Sequence, residues 1–428
     1  MSSTLRLGIA GLGTVGSGVI KIVQQNAALL TARSGCSIEI TAVSARSRSK
    51  DRGVDLSGYA WEDDPTVLAQ RDDVDVYVEL MGGEDGPAKA SVEAALAAGK
   101  HVVTANKALL AHHGQALAVA AETKGVNLRF EAAVAGGIPV IKTLTEGLAA
   151  NKITRIMGVM NGTCNYILTR MENAGLPYDV VFEEANQLGY LESDPNLDVG
   201  GIDAAHKLVL LSSIAYGTQV DFPAAQLQGI GEISIDDIHA ASDMGYRIKL
   251  LGLSQMTGNG LEQTMQPCLV PYNSPLGQLE GGTNMVVIEG DSVGQIVLRG
   301  AGAGEGPTAS AVMGDVMDIA RGFTLPVFGI PADQLVNTPA AQSKAPFAYY
   351  IRTSLRDAPG VLANIARALG DAGISIDRLR QQNHDGDSAP ILIVTHPCTP
   401  AEVDKAITAI KATGDATSDP IALKIVEV

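Results

Sequence analysis

Four cysteines, Cys36, Cys164, Cys268 and Cys398, are all that the 428 residues contain, and no two of them form a CxxC or other paired spacing. That scarcity argues against a disulfide framework and a structural zinc site, and it fits a reducing compartment. Long apolar runs are also missing. Hydrophobic residues make up 46% of the chain, but Ala supplies much of this and no stretch approaches the ~20 residues of a spanning helix. The opening MSST passes straight into LRLGIAG, without the charged region, apolar region and cleavage site of a secretory leader, so a cytoplasmic location is expected. Positive charge is short as well: 31 Lys and Arg against 47 Asp and Glu leave a net charge of −16. This surplus of acid disfavours nucleic acid and anionic membranes as partners. Any phosphate-bearing ligand must then be held by local geometry.

What is present divides into two or three domains, as the length predicts. Leu5 to Ala10 reads as a buried parallel strand, and GLGTVG follows at once, its Gly11, Gly13 and Gly16 opening a helix through Val19, Ile20, Ile22 and Val23. Strand, GxGxxG and helix together form the dinucleotide fingerprint, in which close backbone N–H groups at a positive helix end cradle a pyrophosphate. The second strand, Ser37 to Val43, runs into Ser44-Ala45-Arg46-Ser47-Arg48-Ser49-Lys50. An NAD-selective fold usually places an acid there; Arg46 instead suits a ribose 2′-phosphate, so NADP is favoured and use of NAD stays open. A further strand, His101 to Thr104, ends in Ala105-Asn106-Lys107. Ligands collect at the carboxyl ends of such strands, which sets Lys107 towards the cofactor, although spacing alone also allows a surface lysine. The strand Asn127 to Glu131 and the small-residue loop after it end the nucleotide region near residue 140. Glu131 and that loop could offer one carboxylate and several carbonyls to a hard cation.

The densest chemistry lies in Gly189 to Lys207, GYLESDPNLDVGGIDAAHK, which holds Glu192, Asp194, Asp198, Asp203 and Lys207. Asp203 and Lys207 stand four apart on a helical pattern that continues into Leu208, Leu210 and Leu211, so the pair shares one face of a largely buried helix. A solvated salt bridge is the ordinary reading of such a pair; burial shifts it towards a polar ligand site. Residues 141–330 alternate strand and helix patterns, suggesting an open mixed sheet covered on one face, and Gly300 to Thr308 forms a second Gly-rich turn able to pack back on the cofactor. Pro331 to Pro346 has the composition of a linker. The remainder, 347–428, follows a βαββαβ order, a ferredoxin-like sandwich.

Taken together the motifs resemble those of homoserine dehydrogenase with a C-terminal ACT domain: GLGTVG at Gly11 to Gly16, TANK at Thr104 to Lys107, EAAVAGGIP at Glu131 to Pro139, MNGTCNYIL at Met160 to Leu168, the Gly189 to Lys207 stretch, GAGAGEGPTASAV at Gly300 to Val312, and DAPGVLA at Asp357 to Ala363. The expected architecture is α/β: a Rossmann-type doubly wound domain over 1–140 completed by 300–330, an α+β substrate and dimerisation domain over 141–330, a linker over 331–346 and an ACT domain over 347–428. The resemblance implies reversible interconversion of L-homoserine and L-aspartate 4-semialdehyde with NADP or NAD. It implies catalysis by Lys207 and Lys107, substrate binding by Glu192 and Asp203 with Asp198 orienting the site, and cofactor contacts at Gly11, Leu12, Gly13, Thr14, Val15, Arg46, Lys107 and Gly304. It also implies a sodium ion at Glu131 with the carbonyls of Val134, Gly136 and Ile138, threonine feedback through an ACT turn containing Asp357 and Gly360, and a homodimer or homotetramer. A lysine beside the reacting oxygen works best with a lowered pKa, and a second lysine is expected to supply that lowering. Two other readings compete: an NADP-dependent reductase of another amino-acid semialdehyde, and a non-catalytic nucleotide and amino-acid sensor.

Overall fold

The computed structural model describes residues 4–192, 194–381 and 386–427. Its first sheet contains β1 (Thr4–Ala10), β2 (Ser37–Ser44), β3 (Ala60–Glu62), β4 (Val76–Glu79), β5 (His101–Thr104) and β6 (Leu128–Arg129). All pairings are parallel, in the order β3-β2-β1-β4-β5-β6, the doubly wound dinucleotide order. Leu7 and Ile9 on β1 and Val76 and Val78 on β4 are fully buried because helices cover both faces, which is why these strands read as continuous apolar runs. The order reverses beside β1, and the crevice at the carboxyl ends of β1 and β4 is where a ligand belongs. Helix Glu305–Ala320, which follows the second Gly-rich turn, returns to pack on helix Thr14–Ser34. Gly18 permits the approach: a Cβ there would stand 2.9 Å from the Glu305 carbonyl oxygen.

The second sheet holds β7 (Ile153–Val159), β8 (Gln226–Leu227), β9 (Tyr246–Thr257), β10 (Gly260–Pro271), β11 (Thr283–Gly290), β12 (Gly294–Ala301), β13 (Ala348–Arg356), β14 (Ile376–Gln381), β15 (Ser388–Thr395) and β16 (Ile421–Ile425). Their order is β12-β11-β7-β9-β10-β16-β13-β15-β14, with β8 beside β10. The pairs from β12 to β10 are antiparallel, while β8 and β16 lie parallel to β10, so the sheet is mixed. Strands β13 to β16 with helices Val361–Asp371 and Pro400–Ala412 form the expected βαββαβ unit. That unit is not a separate body: Cys268 pairs with Lys424 and Leu269 with Ile425, which makes one continuous sheet. Helix Ile202–Tyr216 packs on β9, and its residues from Asp203 to Ser213 are all buried. Among the described residues no helix is long and apolar enough to cross a membrane.

Two local expectations change. The strand expected over Asn127 to Glu131 is only Leu128–Arg129, and Glu131 begins a 3₁₀ turn, Glu131–Ala133; its backbone N–H donates to the Asp315 carboxylate (2.8 Å) instead of a neighbouring strand. The stretch of linker composition is a bound strap. Gln219 N–H donates to the Val336 carbonyl (3.0 Å), and the start of β10 brackets Pro339 and Ala341 through Leu261 at 3.0 and 2.9 Å. Prolines and small residues serve a segment pinned along a sheet edge as well as a free one, so composition could not separate the two.

Candidate active site

Lys107 is placed by a chain of hydrogen bonds that begins at the buried end of β4. The Glu79 carboxylate, fully buried, accepts the Thr104 hydroxyl (2.6 Å) and the N–H groups of Met81 (2.7 Å) and Gly82 (3.1 Å). Thr104 Oγ accepts the Asn106 N–H (2.9 Å); Asn106 caps helix Lys107–Lys124 through Leu109 N–H (3.1 Å) and donates to the Gly83 carbonyl (2.7 Å). Lys107 is the first residue of that helix, and its Nζ lies 3.1 Å from Asp203 Oδ1. Thr104→Val removes the hydroxyl that both feeds Glu79 and receives Asn106. A stability loss of about 1–3 kcal/mol is expected, readable as a lower urea midpoint with an unchanged slope.

The opposite wall is helix Ile202–Tyr216. Lys207 Nζ donates to Asp203 Oδ2 (2.7 Å) and to the Met160 carbonyl (2.7 Å). Asn161 uses both ends of its amide: Oδ1 caps helix Gly162–Ala174 through Cys164 N–H (2.8 Å), and Nδ2 donates to Asp198 Oδ1 (2.9 Å) and Asp203 Oδ2 (3.0 Å). Asp198 Oδ2 in turn accepts the Glu192 N–H (3.0 Å), which ties the loop carrying Glu192 to the same cluster. Lys107, Glu192, Asp198, Asp203 and Lys207 therefore line one cleft of about 640 Å³, which also reaches Val15 of the fingerprint and Gly304 of the second Gly-rich turn. Two lysines face three carboxylates there, a surplus of negative charge suited to the ammonium of an amino acid.

The electrostatics correct one expectation. Burial alone would lower the Lys107 ammonium, but the neighbouring carboxylates of Asp203, Glu192 and Asp198 outweigh it, and its pKa is raised. Burial opposes the Asp203 charge too, yet the two lysines hold that carboxyl well below the usual range. The nearby acids, and not the second lysine, dominate the field at Lys107. The Cys164 thiol is pushed well above its ordinary value, mainly by burial, and such a neutral thiol is no nucleophile.

At the cofactor end Gly11 has φ +99, and a Cβ there would stand 2.4 Å from the Leu80 carbonyl oxygen. Gly13 caps helix Thr14–Ser34 with no side-chain hydrogen bond and no atom within 4 Å of a built Cβ. Backbone N–H groups at a bare helix start with open space before them fit a pyrophosphate. Gly16 lies in the first turn of that helix, and Leu12 and Thr14 complete the loop. Arg46 is exposed and makes no hydrogen bond or ion pair among the described residues. Its loop is held by Arg52, a residue not singled out from sequence, which donates to the carbonyls of Leu12 (3.0 Å), Lys50 (2.7 Å) and Ser47 (2.5 Å).

Beside the cleft, which Gly136 lines, both Glu131 oxygens accept backbone N–H groups, from Ile141 (2.9 Å) and Lys142 (2.8 Å). The Ile138 carbonyl accepts Val140 N–H (2.8 Å), whereas those of Val134 and Gly136, both buried, accept no hydrogen bond among the described residues. No group of three or more His, Cys, Asp or Glu able to hold a metal occurs among the described residues, so a cation here would rely on carbonyl oxygens. In the ACT unit Gly360 (φ +87) starts helix Val361–Asp371, and Asp357 lines a small cavity of about 60 Å³. Asn161 and Glu79 were within reach of the sequence, an Asn at a helix start and an acid ending a buried strand. Their bonding across three elements was not.

The fold and cleft are those of a nicotinamide-nucleotide-dependent oxidoreductase. Family comparison is specific about which. Residues 11–131 match the NAD-binding domain of homoserine dehydrogenase, 139–317 the homoserine dehydrogenase domain and 349–415 the ACT domain. The homoserine dehydrogenase of Neisseria gonorrhoeae is 42% identical over 98% of both chains, and that of Pseudomonas aeruginosa 40% over 95% of both. Among solved structures, a homoserine dehydrogenase from Thiobacillus denitrificans is similar with a TM-score of 0.94, 39% identity and 100% of each chain covered. A hyperthermophilic archaeal homoserine dehydrogenase in complex with NADPH matches 75% of this chain and 99% of its own, with a TM-score of 0.65 and 26% identity. The chain belongs to the homoserine dehydrogenase family.

Proposed function

We propose that Lys207 moves the proton in the oxidation of L-homoserine to L-aspartate 4-semialdehyde, with Lys107 as the second cation at the reacting oxygen. The observation that carries this assignment is the shared Asp203 carboxylate, which holds both ammonium groups on the wall of one cleft at 2.7 and 3.1 Å. A nicotinamide held in this cleft would supply the acceptor for the hydride that leaves C4 of homoserine. As the hydride leaves, the substrate hydroxyl becomes a carbonyl: Lys207, as the neutral amine, receives the proton, and the Lys107 ammonium stabilises the charge on oxygen. Glu192 and Asp203 hold the substrate ammonium, and Asp198 keeps the Glu192 loop in place. The Gly11 to Val15 turn would hold the pyrophosphate, with Gly304 lining the same cleft.

NADP is the proposed preference. Arg46 is exposed at the end of β2 with no partner to give up, and the similar archaeal structure binds NADPH. Arg46→Glu is expected to raise KM for NADP by about tenfold or more, the loss of one charge-assisted phosphate contact, while KM for NAD stays within about twofold; equal changes for both cofactors would remove the assignment. A sodium ion at Glu131, Val134, Gly136 and Ile138 is a further proposal, supported by the unclaimed carbonyls of Val134 and Gly136. Threonine is proposed as a feedback effector at the turn containing Asp357 and Gly360, which would place the enzyme on the aspartate route to threonine and methionine. Most residues of β12, the outer strand of the second sheet, are exposed, which supports assembly as a homodimer or homotetramer through this domain. The deciding assay is the initial rate of homoserine-dependent NADP reduction, with and without millimolar threonine. Suppression supports enzyme and effector together, an unchanged rate removes threonine, and no rate with either nicotinamide cofactor removes the catalytic assignment.

A further inference from the structure

Strand β9 opens Tyr246-Arg247-Ile248-Lys249, and its two cations, two residues apart, project from one face of the strand. Both reach the loop that joins β10 to β11. Arg247 donates to the Gly277 carbonyl (3.0 Å) and to the carboxylates of Glu280 (3.0 Å) and Glu172 (3.0 Å). Lys249 differs. It is 1% exposed and makes no ion pair among the described residues; its ammonium donates to the Leu279 carbonyl (2.5 Å) and to Asn165 Oδ1 (2.9 Å). A buried charge without a carboxylate is unfavourable, and burial, with Arg247 acting in the same direction, lowers the Lys249 pKa to about 8. A methionine would fill the same space without that penalty, so what the ammonium adds is its hold on two oxygens.

Those oxygens lead to the substrate cleft. Asn165, 1% exposed, lies one turn beyond Asn161 in helix Gly162–Ala174. Asn161 reaches the carboxylates of Asp198 and Asp203, and Asn165 directs Nδ2 to the Gly281 carbonyl (2.7 Å). One helix start thus fixes two walls. Gly282 and Asn284, next along the chain, line the cleft, whereas Lys249 does not. A Cβ on Gly162 would stand 2.6 Å from the Gly282 carbonyl oxygen, so this wall sits directly on the helix. Asn284 Nδ2 donates to the Met160 carbonyl (3.1 Å), the oxygen that also accepts Lys207 Nζ (2.7 Å).

We propose that Lys249 is a positioning residue for homoserine, acting through Asn165 and the Leu279 carbonyl to hold the 281–284 wall against the substrate; this rests on the reaction assigned to the cleft above. A displaced wall weakens the substrate equally in the ground and transition states, which raises KM. Lys207 keeps Asp203 at 2.7 Å, so kcat should change little.

The test is steady-state kinetics of the full-length protein with homoserine varied at saturating NADP, alongside fluorescence titration of NADP and thermal melting. Lys249→Met leaves the Leu279 carbonyl and Asn165 Oδ1 without their donor. Asn165→Asp is the discriminating variant: it gives the buried ammonium a carboxylate and removes the N–H donor to Gly281. In both, KM for homoserine is expected to rise about tenfold or more, the scale of one lost hydrogen bond at a buried site. Turnover should stay within about threefold and NADP affinity within about twofold, and Asn165→Asp should melt no lower than the wild type. Should Lys249→Met fail to fold, Asn165→Asp decides alone. An unchanged KM in Asn165→Asp overturns the proposal, as does a KM that rises only in step with a fall in melting temperature, which would leave Lys249 a purely structural role. No homoserine-dependent rate in the wild type removes the assigned reaction and this inference with it; an active wild type with unaltered KM in the variants removes this inference alone.

Discussion

Lys207→Met is expected to lower kcat for homoserine oxidation by roughly 10²–10⁴-fold, the usual contribution of a positioned proton-transfer group, while NADP binding measured by fluorescence titration is unchanged. The separation follows from geometry. Lys207 contacts Asp203 and the Met160 carbonyl, not the glycine turn, and in its absence Asp203 still has Lys107 at 3.1 Å and the Asn161 amide at 3.0 Å. The variant should therefore fold, and KM for homoserine should move far less than kcat, the sign of an interaction made chiefly in the transition state. Wild-type turnover by this variant would take the proton from Lys207 and pass it to Lys107. The matching Lys107→Met variant separates the two roles, because Lys107 lies on the cofactor-domain helix and its loss should raise KM as well as lower kcat.

Asp203→Ala should have the largest effect on stability. Asp203 is 7% exposed and receives Lys207, Lys107 and Asn161. Without it, buried Lys207 keeps only the Met160 carbonyl. Removing one partner of a buried ion pair costs about 3–5 kcal/mol, a fall of roughly 3–6 °C in Tm by size scaling. The dependence on pH has a definite sign. Because the folded-state pKa of Asp203 is depressed, its stabilisation is present above its ordinary value of 3.8 and is lost as the pH falls further. The wild type and Asp203→Ala should thus differ most near neutrality and converge in strong acid. A gap in Tm that is constant from neutrality into strong acid would show that packing, not charge, sets the difference. Activity should fall with stability, since both lysines lose their common anchor.

The nucleotide domain was legible because its signals are local. A buried strand, a GxGxxG turn and a helix are contiguous, and each glycine has a steric reason that a built Cβ exposes, as at Gly11 against Leu80. The Asp203–Lys207 pair was legible for the same reason: four residues on a helix fix the distance between two side chains. The Glu131 turn, the strap and the charge state of Lys107 were not. Each is decided by residues far away in the chain: Asp315 accepting the Glu131 N–H, Leu261 bracketing the strap, and Asp203 and Glu192 surrounding a lysine 96 and 85 positions earlier.

By itself, then, the order of residues determined the doubly wound domain, the βαββαβ unit and which side chains were chemically suited to the site, since periodicity, turn residues and short-range spacing act within a few residues of one another. Only the tertiary structure decided that Lys107 and Lys207 share one carboxylate, that Asn161 links Asp198 to Asp203, and that the ACT unit extends the catalytic sheet through Leu269 and Ile425. Those arrangements depend on which surfaces meet when separate elements bury their apolar faces, and no local pattern carries that information.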